Sequence, residues 1–338
     1  MKVKVIIPYF GEFHPLFEIY AKGIKHNSKF DFLIITDQNI VCNSLSNLSI
    51  LNMSFHDFTK VVYDKLGVAP RSPYKLCDFK PFYGVIFEEY LIKYDYWSYS
   101  DIDMILGDMD LYHKLMKKNR FDKILDRGHL SFYKNLNNVN YFYKSNKDIE
   151  THYNYLLKSK RIWVTDESYS KVIFGVNTLL QAIGKTVYSS RKSFFDTSPK
   201  YTEFTNINED KKVPGFIEYR NNKVLYISIC NNQILKQEFS YAHFLKRKVR
   251  VIDSGNSYIL VPISWTNINS YDECIVKLKS LDKLTPNNQY DYFLLKNKFK
   301  NLTIFIGDMF FNKEPVKILF KLLRIRTLFD FRINFSKK

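Results

Sequence analysis

The chain has 338 residues, 46% of them hydrophobic and 17% aromatic, with 51 Lys+Arg against 34 Asp+Glu for a formal net charge of +17. That apolar content excludes an intrinsically disordered chain and suffices for one large core or two modest ones. The four cysteines, Cys42, Cys77, Cys230 and Cys274, follow no metal-ligand spacing and are too few for a disulfide scaffold, which fits reduced thiols in the cytosol.

Lys2 to Tyr9 is a β-branched run whose apolar stretch before Pro8 is too short for a signal peptide, so it predicts a first core strand. Phe13, Leu16, Phe17, Tyr20 and Ile24 then fall at helical spacing over residues 12 to 26. Phe30 to Ile35, stopping at Thr36-Asp37, predicts a second strand, and Leu48 to Met53 a shorter third. Continuous apolar strands alternating with helices define an α/β chain with a mixed, mainly parallel central sheet covered on both faces, and such sheets collect ligands at the carboxyl ends of their strands.

Residues 74 to 94 read as one helix with Leu76, Phe79, Tyr83, Ile86, Phe87 and Leu91 on its apolar face. Tyr94 to Tyr99 reads as the next strand and runs directly into Asp101-Ile102-Asp103. Gly128 to Tyr133 predicts a further strand, and Ser168 to Ile183 a helix that follows Thr165-Asp166-Glu167. Phe216 to Tyr219 and Val224 to Ile229 flank Arg220-Asn221-Asn222-Lys223, whose two asparagines suit a tight hairpin. The later part is thus richer in antiparallel β-structure. With no internal repeat and no Pro/Gly/Ser-rich linker, the sequence reads as a catalytic domain over residues 1–250 and a basic extension over 251–338. The last 98 residues, 241–338, hold 18 Lys+Arg against 8 Asp+Glu. No window reaches the roughly 20 uninterrupted apolar residues of a membrane-spanning helix.

Two carboxylates one residue apart at a strand end are placed to hold Mg²⁺ or Mn²⁺ against a diphosphate, and Asp101 and Asp103 meet that description. The bland alternative is a polar strand end with solvated carboxylates. For the second such pair, Asp108 and Asp110, capping and dipole complementarity at a helix start is the better explanation.

Ile6-Ile7-Pro8-Tyr9-Phe10-Gly11, Ser72-Pro73-Tyr74-Lys75-Leu76-Cys77-Asp78-Phe79-Lys80-Pro81 and Trp97-Ser98-Tyr99-Ser100-Asp101-Ile102-Asp103 together resemble bacterial glycosyltransferases of the GT-A fold, of the capsule and lipopolysaccharide biosynthesis type. Gly128-His129-Leu130-Ser131, Asp166-Glu167 and Tyr241-Ala242-His243-Phe244 extend the resemblance over about the first 250 residues. It implies a Rossmann-like GT-A sheet, a nucleotide-sugar donor, UDP-linked by preference, and a divalent cation.

The resemblance also implies roles. Pro8, Tyr9 and Gly11 would hold the base, with Tyr9 stacked on uracil; a well-packed strand end is the alternative. Thr36 and Asp37 would contact base or ribose, or form a simple helix-leading turn. Lys75 and Lys80 would neutralise the diphosphate while Asp78 bonds a sugar hydroxyl; Lys75 and Asp78 also fit a surface helix pair. Asp103 would ligate the metal directly, Asp101 would contact the ribose or the metal through water, and His243 would be the late third ligand or else a hydrogen-bonded core histidine. Asp166 and Glu167 would supply a base or an acceptor contact, or offset a helix dipole.

Residues 315–325 place Lys317, Lys321 and Arg324 on one side of a helical projection, as in a cationic helix lying on an anionic membrane, and equally as in a helix packed on its own domain. The expected acceptor is a saccharide or lipid-linked saccharide, and the expected location the cytoplasm or the inner face of the cytoplasmic membrane. Two rival classes are a phosphohydrolase with an Asp nucleophile, for which a hundred residues precede Asp101 too many, and a basic nucleic-acid-binding protein. The aromatics sit inside apolar strand and helix patterns rather than among Lys and Arg, so a nucleic-acid partner is not expected.

Overall fold

A computed structural model describes residues 1–40, 45–167, 175–245 and 247–290. Val3–Pro8 (β1), Phe30–Thr36 (β2) and Leu48–Asn52 (β3) form where the apolar runs predict strands, with Phe17–His26 (α1) linking the first two. Phe55–Leu66 (α2) starts at Ser54, whose hydroxyl accepts from the Asp57 N–H, and ends at Gly67 in the left-handed conformation (φ 68°) that glycine adopts without a Cβ penalty.

The single helix expected over 74–94 is replaced by 3₁₀ turns at Pro73–Asp78 and Lys80–Phe82 and by two one-turn helices, Tyr83–Ile86 (α3) and Glu88–Leu91 (α4). Pro81 accounts for the break, since its missing N–H and its ring interrupt a regular helix. Tyr96–Ser100 (β4) and Met104–Leu106 (β5) then bracket the Asp101-Ile102-Asp103 segment. Asp110–Lys117 (α5), Lys123–Ile124 (β6), Leu130–Lys134 (β7), Asn137–Asn140 (α6), Lys147–Lys158 (α7), Val176–Ala182 (α8), Val187–Tyr188 (β8) and Phe195–Asp196 (β9) follow. Residues 168–174 of the helix expected from Ser168 lie outside the described residues.

The central sheet has the order β3-β2-β1-β4-β7-β6-β8, and only β7 runs against the others. Its two faces bury different residues of the same strands. Val3, Val5 and Ile7 of β1 point to one side with Phe30, Phe32 and Ile34, whereas Ile6 points to the other with Leu33, Ile35 and Trp97. Burial on both faces is what turns these strands into continuous apolar runs.

Gly215–Arg220 (β10), Lys223–Cys230 (β11), Gln233–Phe239 (β12), Tyr241–His243 (β13), Val249–Asp253 (β14) and Tyr258–Pro262 (β15) complete the strands, and Tyr271–Lys279 (α9) follows them. Five of these strands form an antiparallel sheet, β12-β11-β10-β15-β14. The expected hairpin turns at Asn221 and Asn222, both at positive φ (50° and 61°), the signature of a two-residue primed turn. One face packs on α9 through Phe216, Ile227, Cys274 and Ile275; the other packs on Leu16 and Ile19 through Ile217, Val224 and Leu260. The boundary expected at residue 250 therefore falls inside β14. The basic segment 315–325 lies outside the described residues, and among those described no helix is long and apolar enough to cross a membrane.

A third, three-stranded sheet joins the two layers: β13 lies between β5, antiparallel to it, and β9, parallel to it. α1 lies directly on this junction, since a Cβ on Gly23 would come within 2.6 Å of Leu106 Cβ and of its carbonyl oxygen.

His152 of α7 is buried, and neither ring nitrogen has a partner among the described residues. Burial pushes its pKa down to about 4. The unfolded chain protonates this ring near pH 6.5, so its burial adds no pH-dependent cost above that value and destabilises progressively as pH falls toward 4. Replacing it by leucine is expected to flatten the decline of melting temperature between pH 6.5 and 4.5; an unchanged slope in thermal melts would contradict this.

Candidate active site

The carboxyl ends of β1 and β4 open into a cavity of about 480 Å³, within the range typical of small-molecule sites. Pro8, Tyr9, Lys80, Asp101, Asp103, Asp166, Glu167 and His243 line it, so eight of the residues singled out in the sequence converge from five chain segments. Gly11, Thr36, Asp37, Lys75 and Asp78 are not part of its lining.

The β5–β13 pairing sets the central geometry. His243 lies opposite Met104, which brings its Nε2 to 3.7 Å from Asp103 Oδ1, and Asp101, Asp103 and His243 offer ligand atoms within 4.8 Å of one another. Two carboxylates and an imidazole form a donor set suited to a divalent cation, and the nitrogen favours Mn²⁺ over Mg²⁺. On the opposite side of the ring, His243 Nδ1 is 2.9 Å from Asp196 Oδ1, the kind of second contact that fixes tautomer and ring orientation. Burial alone would lower the pKa of His243; Asp103 and Asp196 outweigh it and raise it to about 9. A cation taking Nε2 therefore has to compete with a proton.

Lys80 donates to Asp101 Oδ1 at 2.7 Å and to the Gly128 carbonyl at 2.6 Å. Burial opposes its charge, but Asp101 prevails and holds the ammonium well above its ordinary pKa. Gly128 returns a backbone N–H to Glu167 Oε1 at 2.9 Å, and a Cβ there would lie 2.8 Å from Asp166 Oδ2, so the loop before β7 has no room for a side chain. Asp166 is buried, and its Oδ1 has no hydrogen-bond partner among the described residues. Burial pushes its carboxyl up to about 7 against the pull of Lys80. An acid poised near neutrality in a cavity wall is suited to proton transfer.

Tyr9 stacks on Phe13 with ring centroids 5.1 Å apart and donates its hydroxyl to the Glu12 carbonyl at 3.0 Å. Gly11 adopts φ 98° and donates its N–H to Asp37 Oδ1 at 3.0 Å, a bond that lowers the Asp37 pKa and ties the loop after β1 to the end of β2. Thr36 is buried, and its hydroxyl accepts from the Gln38 N–H at 3.2 Å.

Lys75 and Asp78 form an internal brace. Lys75 Nζ donates to Asp78 Oδ2 at 2.6 Å and to the carbonyls of Leu156 and Arg161, while Asp78 accepts from the N–H groups of Trp163 and Val164. Burial pushes both pKa values toward neutrality, and each partner resists that for the other. The pair fastens the 3₁₀ segment to the strap that delivers Asp166.

Sequence reading did not single out His129 and Asp196 as site residues. His129 precedes β7 within one of the quoted motifs; Asp196 sits in Phe194-Phe195-Asp196, a context with no spacing signal, and reaches His243 only through the β9–β13 pairing. Lys123 is also buried near the site, donating to the Leu125 carbonyl and Ser131 Oγ, and burial lowers its pKa to about 7.

Fold and site together define a mixed α/β protein with an acidic and imidazole-bearing ligand cavity at the carboxyl edge of its main sheet. Residues 5–271 match the model of DUF6625, described as a family of unknown function, and the chain belongs to that family. No curated protein matches it. Among solved structures it is similar to the galactosyltransferase LgtC in complex with donor and acceptor sugar analogues, at 9% identity and a TM-score of 0.35 over 58% of this chain and 76% of that one. It is also similar to mouse xyloside xylosyltransferase 1 in its apo form, at 9% identity and a TM-score of 0.37 over 59% and 88%. A third neighbour, the apo-form glycosyltransferase GlyE of Streptococcus pneumoniae TIGR4, aligns at 13% identity and a TM-score of 0.31 over 56% and 46%.

Breaking a buried ion pair by removing one partner leaves an uncompensated charge and costs about 3–5 kcal/mol. Asp78→Ala is expected to destabilise the fold by that order in chemical denaturation, while Asp37→Ala, which loses an exposed loop bond, changes stability far less. Equal stabilities of the two variants would contradict the brace.

Proposed function

We propose that this chain is a metal-dependent glycosyltransferase that moves a sugar from a nucleoside diphosphate sugar, UDP-linked by preference, to a saccharide or lipid-linked saccharide of a bacterial surface polysaccharide, on the cytoplasmic side of the membrane. The observation that carries this reading is the convergence of Asp101, Asp103 and His243 in a cavity at the carboxyl end of the main sheet. The resemblance of the quoted motifs to GT-A enzymes agrees with it.

Asp103 and His243 would hold the cation directly, and Asp101, fixed by Lys80, would meet it or the ribose. Bound there, Mn²⁺ or Mg²⁺ supplies positive charge for the departing diphosphate. Lys80 adds a second, buried positive charge and orients Asp101. Pro8 and Tyr9 form the wall by which the base enters. Asp166, with its pKa near 7, takes the proton of the acceptor hydroxyl, and Glu167 holds the Gly128 backbone in place beside it. In the phosphohydrolase alternative Asp101 would be the nucleophile, but its Oδ1 is already engaged by Lys80.

Melting temperature measured with and without Mn²⁺ across UDP, GDP, CMP and dTDP tests the donor half, because ligands that bind only the folded state stabilise it by mass action. A rise that needs Mn²⁺ and one nucleotide together, and that Asp103→Asn removes, is expected; no rise with any nucleotide sinks the reading. Once the donor is known, turnover should increase with pH through about 7 as Asp166 ionises, and Asp166→Asn should lower kcat by about 10²–10⁴-fold with that pH limb lost. Full turnover by Asp166→Asn would assign proton transfer elsewhere.

A further inference from the structure

Behind His243, on the side away from Asp103, a second donor set is built into the same junction. His129, Asp196 and His243 offer ligand atoms within 4.8 Å of one another, and all three side chains are nearly enclosed. His129 packs against His243 with ring centroids 4.3 Å apart and is held edge-on by Phe194 and Tyr241. Its Nδ1 meets Tyr241 Oη at 3.2 Å, whereas its Nε2 is buried, has no hydrogen-bond partner among the described residues, and lies 3.9 Å from Asp196 Oδ2.

An enclosed imidazole nitrogen that faces a carboxylate from beyond hydrogen-bond reach has lost its water without gaining a bond. In the tautomer that donates Nδ1–H to Tyr241, the Nε2 lone pair is directed to where a cation would sit. A tetrahedral ion with bonds of about 2.0–2.1 Å sets its ligands about 3.4 Å apart. Asp196 Oδ1 lies 2.9 Å from His243 Nδ1 and Asp196 Oδ2 lies 3.9 Å from His129 Nε2, distances on either side of that spacing.

We propose that His129, Asp196 and His243 form a second cation site, selective for a borderline-soft divalent ion such as Zn²⁺ or Co²⁺, distinct from the oxygen-rich set of Asp101 and Asp103. Two imidazoles and one carboxylate with a fourth position left for water match the make-up of zinc sites rather than magnesium sites. The two sets share His243 through different nitrogens. A neutral imidazole has one lone pair, so an ion on Nδ1 leaves Nε2 protonated, and the inner and outer sites exclude one another. A zinc-class ion on the inner site therefore withdraws His243 from the outer one.

Titration of the full-length protein with Co²⁺ alone, followed by visible absorption, tests this without any nucleotide or turnover. One equivalent of Co²⁺ with the strong colour of four-coordinate geometry is expected, retained in Asp101→Asn/Asp103→Asn and weakened at least tenfold in His129→Phe, whose ring preserves the stacking. His129→Gln, measured alongside, should lose the same colour, which separates ligation from any packing fault of the phenylalanine. Wild-type-like colour in both His129 variants, or its loss in the aspartate double variant, overturns the proposal. Because the double variant lacks the outer set, this result stands apart from that of the Mn²⁺ and nucleotide melts.

Discussion

The pairing of β13 with β5 on one side and β9 on the other is the constraint on which the site depends. None of the three strands exceeds three residues, yet their alignment sets Asp103, Asp196 and His243 side by side from distant parts of the chain. Side chains alternate faces along a strand, so a one-residue slip of β13 would turn His243 away from both carboxylates. The register is held by backbone bonds on either side of the histidine: Phe244 N–H to the Asp103 carbonyl, Thr197 N–H to that of His243, and Gly107 N–H to that of Ser240.

Around this junction the interior carries more charge than an apolar core tolerates without compensation. Three buried or half-buried cations are answered locally: Lys75 by Asp78 and two carbonyls, Lys80 by Asp101 and the Gly128 carbonyl, Arg247 by the carbonyls of Ser198, Thr202 and Glu203. Backbone carbonyls supply much of this compensation, so these cations fasten loops to one another as well as setting local potential. Asp166 departs from the pattern, with an oxygen unanswered among the described residues and a carboxyl poised near neutrality.

The long apolar strands were legible from the sequence because burial on both faces writes itself as continuous runs, and the Asn221-Asn222 turn was legible because both residues tolerate positive φ. Asp101 and Asp103 stood out for closing such a run. Strands of two or three residues such as β9 and β13 have no periodicity to read, and so Asp196 and the closeness of His129 to His243 were invisible. The segment from Pro73 to Leu91 misled for a different reason: its apolar spacing is helical, but Pro81 and the buried Lys75–Asp78 brace break it into turns. His243 was legible only through resemblance, since one histidine in an aromatic stretch says nothing by itself.

The order in which the chain leaves the ribosome gives the β5–β13 pairing one more consequence. Every strand of the central sheet has been synthesised once Tyr188 is added, but the ligand set is incomplete until His243 follows, after the β10–β12 meander. The meander thus stands between scaffold and chemistry in time as well as in space. A nascent chain halted before it carries Asp101 and Asp103 but lacks the imidazole that completes their donor set.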